Sequence, residues 1–234
     1  MDHDERMSTP RTGRPRLHTQ RRPGVTARDE ILDAASELFT TLGYTGTSTR
    51  TIAESVGIRQ ASLYHYFTTK DDILCALLSQ TVTPTLAFIT TLTNTCPALT
   101  ATEHLHALAA FDGHQLLSGN WNLGALYLLP EVRADRLEPF WSDRERLRLH
   151  YLAHSHKVLE RTHVHPAAAD LPFRLVESLV NMWSTPHGPQ RSELPMQVAD
   201  AGLRVLGILD AETRQLRGRT EQLVQLYTRG HQPV

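Results

Sequence analysis

Side chains arranged for bond-making chemistry are scarce in this sequence. It has no G-x-S-x-G elbow, no H-E-x-x-H, no phosphate-binding G-x-x-x-x-G-K and no dinucleotide glycine signature. His150 and His154 stand at i, i+4, a spacing that on a helix can clamp zinc. No carboxylate is fixed beside them by sequence, and among 13 histidines such pairs arise by coincidence. His154-Ser155-His156 and His163-Val164-His165 carry still less. Cys75 and Cys96 are too few for a disulfide framework or a zinc knuckle, and Cys75 reads as packing. The expectation is a chain with no catalytic residue, no metal ion and no cofactor. What its residue types do support is binding. Gln60 can bond adenine N6 and N7 together, and Ser62 and His65, with Ala61 between Gln60 and Ser62, can donate or accept at several base edges. Thr47, Thr49, Tyr64 and Lys70 are types that hold phosphates, contacts that fix register without reading sequence.

Charge placement offers either a solubilising tail or a polyanion-binding arm, although the total charge suggests neither. The 234 residues carry 24 Lys+Arg against 25 Asp+Glu, a formal charge of -1. Only Lys70 and Lys157 are lysines, an arginine skew of the kind that genome composition produces. Between Arg6 and Arg28 no acid occurs, while Arg11, Arg14, Arg16, Arg21 and Arg22 lie inside that stretch. Pro10, Pro15, Pro23, Gly13 and Gly24 break it up, so residues 1–25 are expected as an extended, disordered basic arm. Asp29, Glu30, Asp33 and Glu37 follow at once and cancel the arm in any global sum. Gly13-Arg14-Pro15-Arg16 resembles the core of an AT-hook, in which arginines enter the narrow minor groove of A·T-rich DNA.

The elements that must position these residues are helices. Ile31, Ala34, Ala35, Leu38, Phe39 and Leu42 repeat at helical spacing, with Thr26 and Asp29 as a capping-box-like start and Gly43 as the stop. A short second helix is expected over 50–56, capped by Thr47 or Ser48, then a turn at Gly57-Ile58 and a third over 60–67. A fourth begins at 68–71 with Ile73, Leu74, Leu77, Leu78 and Val82 on one face. Further helices are expected near 100–116, 135–161, 170–183, 194–209 and toward the C-terminus, with a short one over 123–129. No stretch alternates as a strand, so the class is all-α with nine or ten helices. The longest apolar run, Leu123–Leu129, falls well short of the ~20 residues a membrane span needs. With a polar N-terminus, the expectation is a cytoplasmic protein with no membrane partner.

Three short helices, the last two joined at Gly57, fit a helix-turn-helix. Ile52, Val56 and Leu63 would pack behind a recognition helix whose N-terminal residues face the major groove. The amide N-terminus of the fourth helix offers one more phosphate contact.

The run Gly43-Tyr44-Thr45-Gly46-Thr47-Ser48-Thr49-Arg50-Thr51-Ile52-Ala53, then Val56-Gly57-Ile58, then Leu63-Tyr64-His65-Tyr66-Phe67-Thr68-Thr69-Lys70, resembles the DNA-binding domain of tetracycline-repressor-type (TetR-family) regulators. The resemblance covers about residues 26–80. It implies a three-helix head over 26–70, a variable helical effector-binding and dimerisation body over 71–234, and action as a homodimer on a pseudo-palindromic double-stranded operator. Arg59 stands where the family usually has a small hydroxyl residue, which adds a candidate phosphate or base contact. Tyr66 stands where His is commoner and reads as packing. Lys70 falls on the family's usual lysine.

In the body, Leu175, Leu179 and Trp183 on one helix and Leu203 and Leu206 on another form broad apolar faces, expected to pair across a dimer. Phe111, Trp121, Tyr127, Phe140, Trp141 and Tyr151, with His104, His106, His114, His150 and His154 among them, could line an apolar cavity. Each ring taken singly reads as core. Taken as a cluster, with the resemblance, Phe111, His114, Trp121, Tyr127, Trp141, Tyr151 and His154 are the expected effector-binding set. The function implied is a ligand-responsive repressor released by a small hydrophobic or aromatic effector. An effector-independent architectural or cell-division protein on the same fold, or an activator, is the alternative.

Overall fold

The computed structural model describes residues 22–129, 137–183 and 191–230. Arg14 and Arg16, with nearly all of the arginine arm, lie outside the described residues. Among the described residues ten α-helices run in chain order: α1 (Ala27–Thr41), α2 (Thr49–Val56), α3 (Gln60–Leu63), α4 (Lys70–Ser79), α5 (Thr83–Thr95), α6 (Ala101–Ser118), α7 (Glu138–Leu159), α8 (Leu171–Met182), α9 (Leu194–Val205) and α10 (Asp210–Gly230). Tighter 3-10 segments occupy Leu123–Leu128 and Pro166–Asp170, and no strand occurs among the described residues.

Local chemistry sets most of the helix starts. Thr26 with Asp29, Thr69 with Asp72 and Thr100 with Glu103 form reciprocal capping boxes, each satisfying two backbone donors that the helix leaves open. Gly57 ends α2 at φ 78°, a left-handed conformation that costs glycine nothing, and this turns the chain into α3. α3 is shorter than the expected 60–67. From His65 the bonds tighten to i→i+3, with His65 N–H donating to Ser62 O and Tyr66 N–H to Leu63 O.

One apolar core runs from α1 to α9, including Ile31, Phe39, Ile52, Leu63, Leu74, Leu77, Phe140, Tyr151, Phe173, Leu179 and Leu203. It joins head to body, with α4 packed on both α1 and α7. A smaller cluster of Phe88, Leu92, Ala107, Phe111, Leu223 and Tyr227 seats α10 on α5 and α6. Phe88 and Phe111 stack at 4.2 Å, and Tyr227 meets both edge-on. The run Lys70–Thr95 has the length and apolarity of a membrane span. Ile73, Leu74, Leu77, Leu78, Val82, Phe88, Ile89 and Leu92 are however all buried in these two cores, which accounts for its apolarity.

Polar links fix α10 further. The fully buried His106 ring lies 2.9 Å from Asp200 Oδ1 through Nε2 and 2.7 Å from Thr220 Oγ1 through Nδ1, and Arg217 reaches Asp200 Oδ2. Burial holds the His106 pKa below its ordinary value, against the pull of Asp200. A neutral ring donating from Nε2 and accepting from Thr220 satisfies all three groups.

Candidate nucleic-acid interface and ligand cleft

The head presents one continuous polar face. Gln60 Nε2 donates to Thr49 Oγ1 at 2.9 Å and to the Tyr64 hydroxyl at 3.2 Å, and Thr49 and Tyr64 lie 3.1 Å apart. These bonds tie the start of α2 to the outer face of α3 and hold the two hydroxyls expected at phosphates side by side. Arg59, Gln60, Ala61 and His65 are exposed around them, Ser62 is half-buried, and Tyr64 is 47% exposed. Behind them Leu63, Ile52 and Val56 are buried, so the face is rigidly backed. Because Gln60 Nε2 is already engaged, bidentate contact with adenine requires Gln60 to leave this network.

Of the expected phosphate contacts, Thr47 needs correction and Lys70 is partly committed elsewhere. Thr47 is buried, and its hydroxyl donates back to Leu38 O at 3.2 Å and Gly43 O at 2.9 Å, closing the α1–α2 turn; it does not face a ligand. Lys70 Nζ donates to Tyr44 O at 2.8 Å and Thr47 O at 2.9 Å and sits 4.0 Å over the Tyr44 ring. Two of its three N–H bonds therefore clamp the loop before α2, and one remains for a phosphate. The N-terminus of α4 is also less open than expected, since Thr69 and Asp72 cap each other and Asp71 accepts from the Tyr44 hydroxyl.

The arginine arm has a docking point that its sequence hid. Arg22, its last arginine, pairs with Asp33 at 3.0 Å and with Glu37, and donates to Ser55 O. Acids that cancel the arm in the charge sum thus hold its root against α1 and α2.

The expected effector set does not converge. Phe111 belongs to the α5–α6–α10 cluster, and His114 is exposed on α6. Trp121 lines a separate hollow of about 210 Å³ beside α1. His154 stacks on His104 at 4.6 Å, and burial with His104 and Lys157 presses its pKa down to about 4. Tyr151 is fully buried and donates to Asp112 Oδ2 at 2.8 Å. Only Tyr127 and Trp141 line a common cleft, of about 400 Å³, between the 123–128 segment, α7 and α8. Sequence nearness of aromatic residues says nothing of which helix face each occupies, and that face decides the matter.

The other cleft residues were missed: Gly124, Arg144, Arg174, Glu177, Ser178, Val180 and Asn181. A signal existed, because Arg174, Glu177, Ser178 and Asn181 follow i, i+3, i+4, i+7 on α8 and Arg144 follows Trp141 by three on α7. Below the cleft, Tyr127 is hydrogen-bonded to Thr81 at the α4–α5 junction. The buried Asp112 carboxyl, bonded by Thr85 and Tyr151, is raised to about 7 by burial. Burial also pushes the Cys75 thiol up, as suits a packing residue. No group of three or more histidine, cysteine or acidic residues could hold a metal ion among the described residues.

The dimer expectation is corrected in part. Leu179, Leu203 and Leu206 are already fully buried within one protomer, because α9 lies between α6, α8 and α10. Leu175 is half-buried, as is Trp183, whose ring is covered by Arg191 at 3.3 Å. The outward stripe of α8 is instead Leu171, Leu175, Ser178 and Met182, at i, i+4, i+7 and i+11, with Leu171 44% and Met182 42% exposed.

Comparison with known proteins agrees with this geometry. Residues 31–77 match the family model described as bacterial regulatory proteins, tetR family. The biofilm operon icaADBC HTH-type negative transcriptional regulator IcaR of Staphylococcus aureus (strain Newman) is 48% identical over 46 residues, 20% of this chain and 25% of IcaR. The chain thus matches about a quarter of the length of its curated relatives. The crystal structure of Mycobacterium smegmatis AmtR is 50% identical, covering 88% of this chain and 98% of that one, with a TM-score of 0.80. A bacterial regulatory protein in the tetR family from Rhodococcus RHA1 shares the fold at 20% identity, covering 80% of this chain and 100% of that one, with a TM-score of 0.66. A head with helix-turn-helix geometry, an all-α body behind it and the match to AmtR along nearly its whole length lead to one assignment: the chain belongs to the TetR family of bacterial transcriptional regulators.

Proposed function

We propose that this chain is a homodimeric transcriptional repressor that leaves its operator when a small molecule occupies the cleft between the 123–128 segment, α7 and α8. It binds and releases its ligand without transforming it, and it works on DNA in the cytoplasm. The observation that carries the reading is the Thr49–Gln60–Tyr64 network, which holds a hydrogen-bonding surface on a rigidly backed helix-turn-helix. Negative regulation is the function named for IcaR, which is 48% identical over 46 residues. Two such heads would read half-sites about 34–36 Å apart, or a multiple of that. The cleft favours the ligand-responsive reading over an effector-independent architectural protein, whose body has no need of one.

Tyr127 supplies a route from cleft to head. Its hydroxyl bonds Thr81, and α4, which ends just before Thr81, packs on α1. A ligand that moves Tyr127 biases α4 only if it binds the two head spacings with different affinity. The direct test is an electrophoretic shift on the DNA upstream of its own gene at physiological salt; retention no greater than on random DNA rejects the reading. Dimerisation is tested by Leu175→Glu, which places a charge in the centre of the α8 stripe. Sedimentation should give single protomers, and operator affinity should fall more than a hundredfold because the two half-sites are no longer bound together. A variant that stays dimeric would move the interface elsewhere.

A further inference from the structure

The cleft is built for a charged ligand. Arg144 has its guanidinium 5.4 Å from the Trp141 ring centroid, 5.9 Å from Tyr127 and 5.2 Å from Phe173. Its Nη2 pairs with Glu177 Oε1, while its Nε is closed off from solvent and has no acceptor among the described residues. Arg174 commits two of its five N–H donors, with Nε on Asp170 at 2.9 Å and Nη1 on Glu177 Oε2 at 3.1 Å. Both Glu177 oxygens are therefore engaged by arginine, and the donor capacity left over sits on the two guanidiniums.

That distribution selects among ligand classes. A cation finds no uncommitted carboxylate in the cleft and meets two guanidiniums. A hydrocarbon would strip water from Arg144, Arg174, Glu177 and Asn181 and return no hydrogen bond, which is costly. An anion answers the unused donors, and a carboxylate matches the planar fork of a guanidinium. A volume of about 400 Å³ lies toward the small end of ligand pockets. The Tyr127 and Trp141 rings beside Arg144 favour a flat body. We propose that the cleft binds a small planar aromatic or conjugated carboxylate, its anion on Arg144 and its plane against Trp141. This rests on the reading of the cleft as the effector site and narrows that effector from a merely hydrophobic compound to an acid.

The test uses three probes with one ring system and different head groups: 2-naphthoate, 2-naphthamide and 2-naphthylmethylamine. Binding to the full-length dimer is followed by calorimetry, and release from an operator fragment is measured separately. The carboxylate should bind at least tenfold more tightly than the amide or the amine. Arg144→Gln should abolish that preference. Asn181→Asp, which leaves Arg144 and the rings beside it in place and adds a wall carboxylate, should weaken the acid and not the amine. Equal binding of the three probes, no binding of any, or an acid preference that survives both substitutions overturns the proposal. Tight acid binding that is lost in both variants but never releases DNA upholds the site and rejects its effector role, so the two failures are distinguishable.

Discussion

Tyr64→Phe should weaken operator binding by about a hundredfold while leaving its salt dependence unchanged. The substitution removes one hydroxyl, which bonds Thr49 and Gln60 and faces outward on a side chain 47% exposed. A hydrogen bond of this kind contributes about 1–1.5 kcal/mol, and a symmetric dimer loses it twice, so roughly 2–3 kcal/mol disappears from one binding event. No charge is lost, no additional counterion is retained on the DNA, and the slope of log affinity against log salt stays where it was. Arg59→Gln is the counterpart. Arg59 is exposed at the N-cap of α3 without a capping bond of its own. If it sits on a phosphate, its loss lowers the slope by about 0.9 per half-site, or about 2 per dimer. Fluorescence anisotropy on one operator across a salt series measures both quantities. Undiminished affinity for Tyr64→Phe would remove the hydroxyl network from the interface. An unchanged slope for Arg59→Gln would place that arginine on a base edge or in solvent.

The head was legible because its determinants are local. Thr26 and Asp29 cap α1 from three residues apart, Gly57 supplies its own left-handed turn, and Gln60 and Tyr64 are neighbours on one helical face. Thr47 and Lys70 show where locality ends. Their residue types are right for phosphate, but whether a hydroxyl or ammonium turns inward depends on carbonyls at Leu38, Gly43 and Tyr44 that only the folded turn supplies. In the body, α8 and α9 are correctly apolar, yet which stripe is left outside one protomer depends on α10, which covers α9 from the far end of the chain. The Leu179, Leu203 and Leu206 stripe is consumed internally, and Leu171, Leu175 and Met182 remain outside. Asp112 could have been found. It falls at i+7 in the series Leu105, Leu108, Ala109, Leu116, so the helical period alone puts a carboxyl in the core.

That carboxyl gives the other large effect. Thr85 donates to Asp112 Oδ1 at 3.0 Å and Tyr151 to Oδ2 at 2.8 Å, yet burial outweighs both bonds and lifts the pKa from 3.8 to about 7. Between those values the native protein holds a proton that the unfolded chain has released, so stability falls as pH rises from about 4 to about 7 and levels off above. At 1.36 kcal/mol per pKa unit the cost at pH 8 is about 4 kcal/mol. Asp112→Asn removes the ionisation, keeps an oxygen for Thr85 and lets its amide donate to the Tyr151 oxygen. Urea unfolding of the dimer at one fixed protomer concentration should show the variant close to the native chain at pH 5 and several kcal/mol more stable at pH 8. Asp112→Leu should be less stable at both, because the Thr85 and Tyr151 hydroxyls are then left unpaired in the core. Equal destabilisation by Asp112→Asn at both pH values would show that the carboxyl is not ionising inside the protein. The charge on Asp112 is eased by Arg144 and opposed by Glu177, the pair that lines the cleft. An anion seated on Arg144 cancels the easing and drives Asp112 toward its neutral form. Carboxylate binding near pH 7 should therefore draw a proton into the core, read as a binding enthalpy that varies with the ionisation heat of the buffer, and Asp112→Asn should abolish that variation while leaving the binding itself in place.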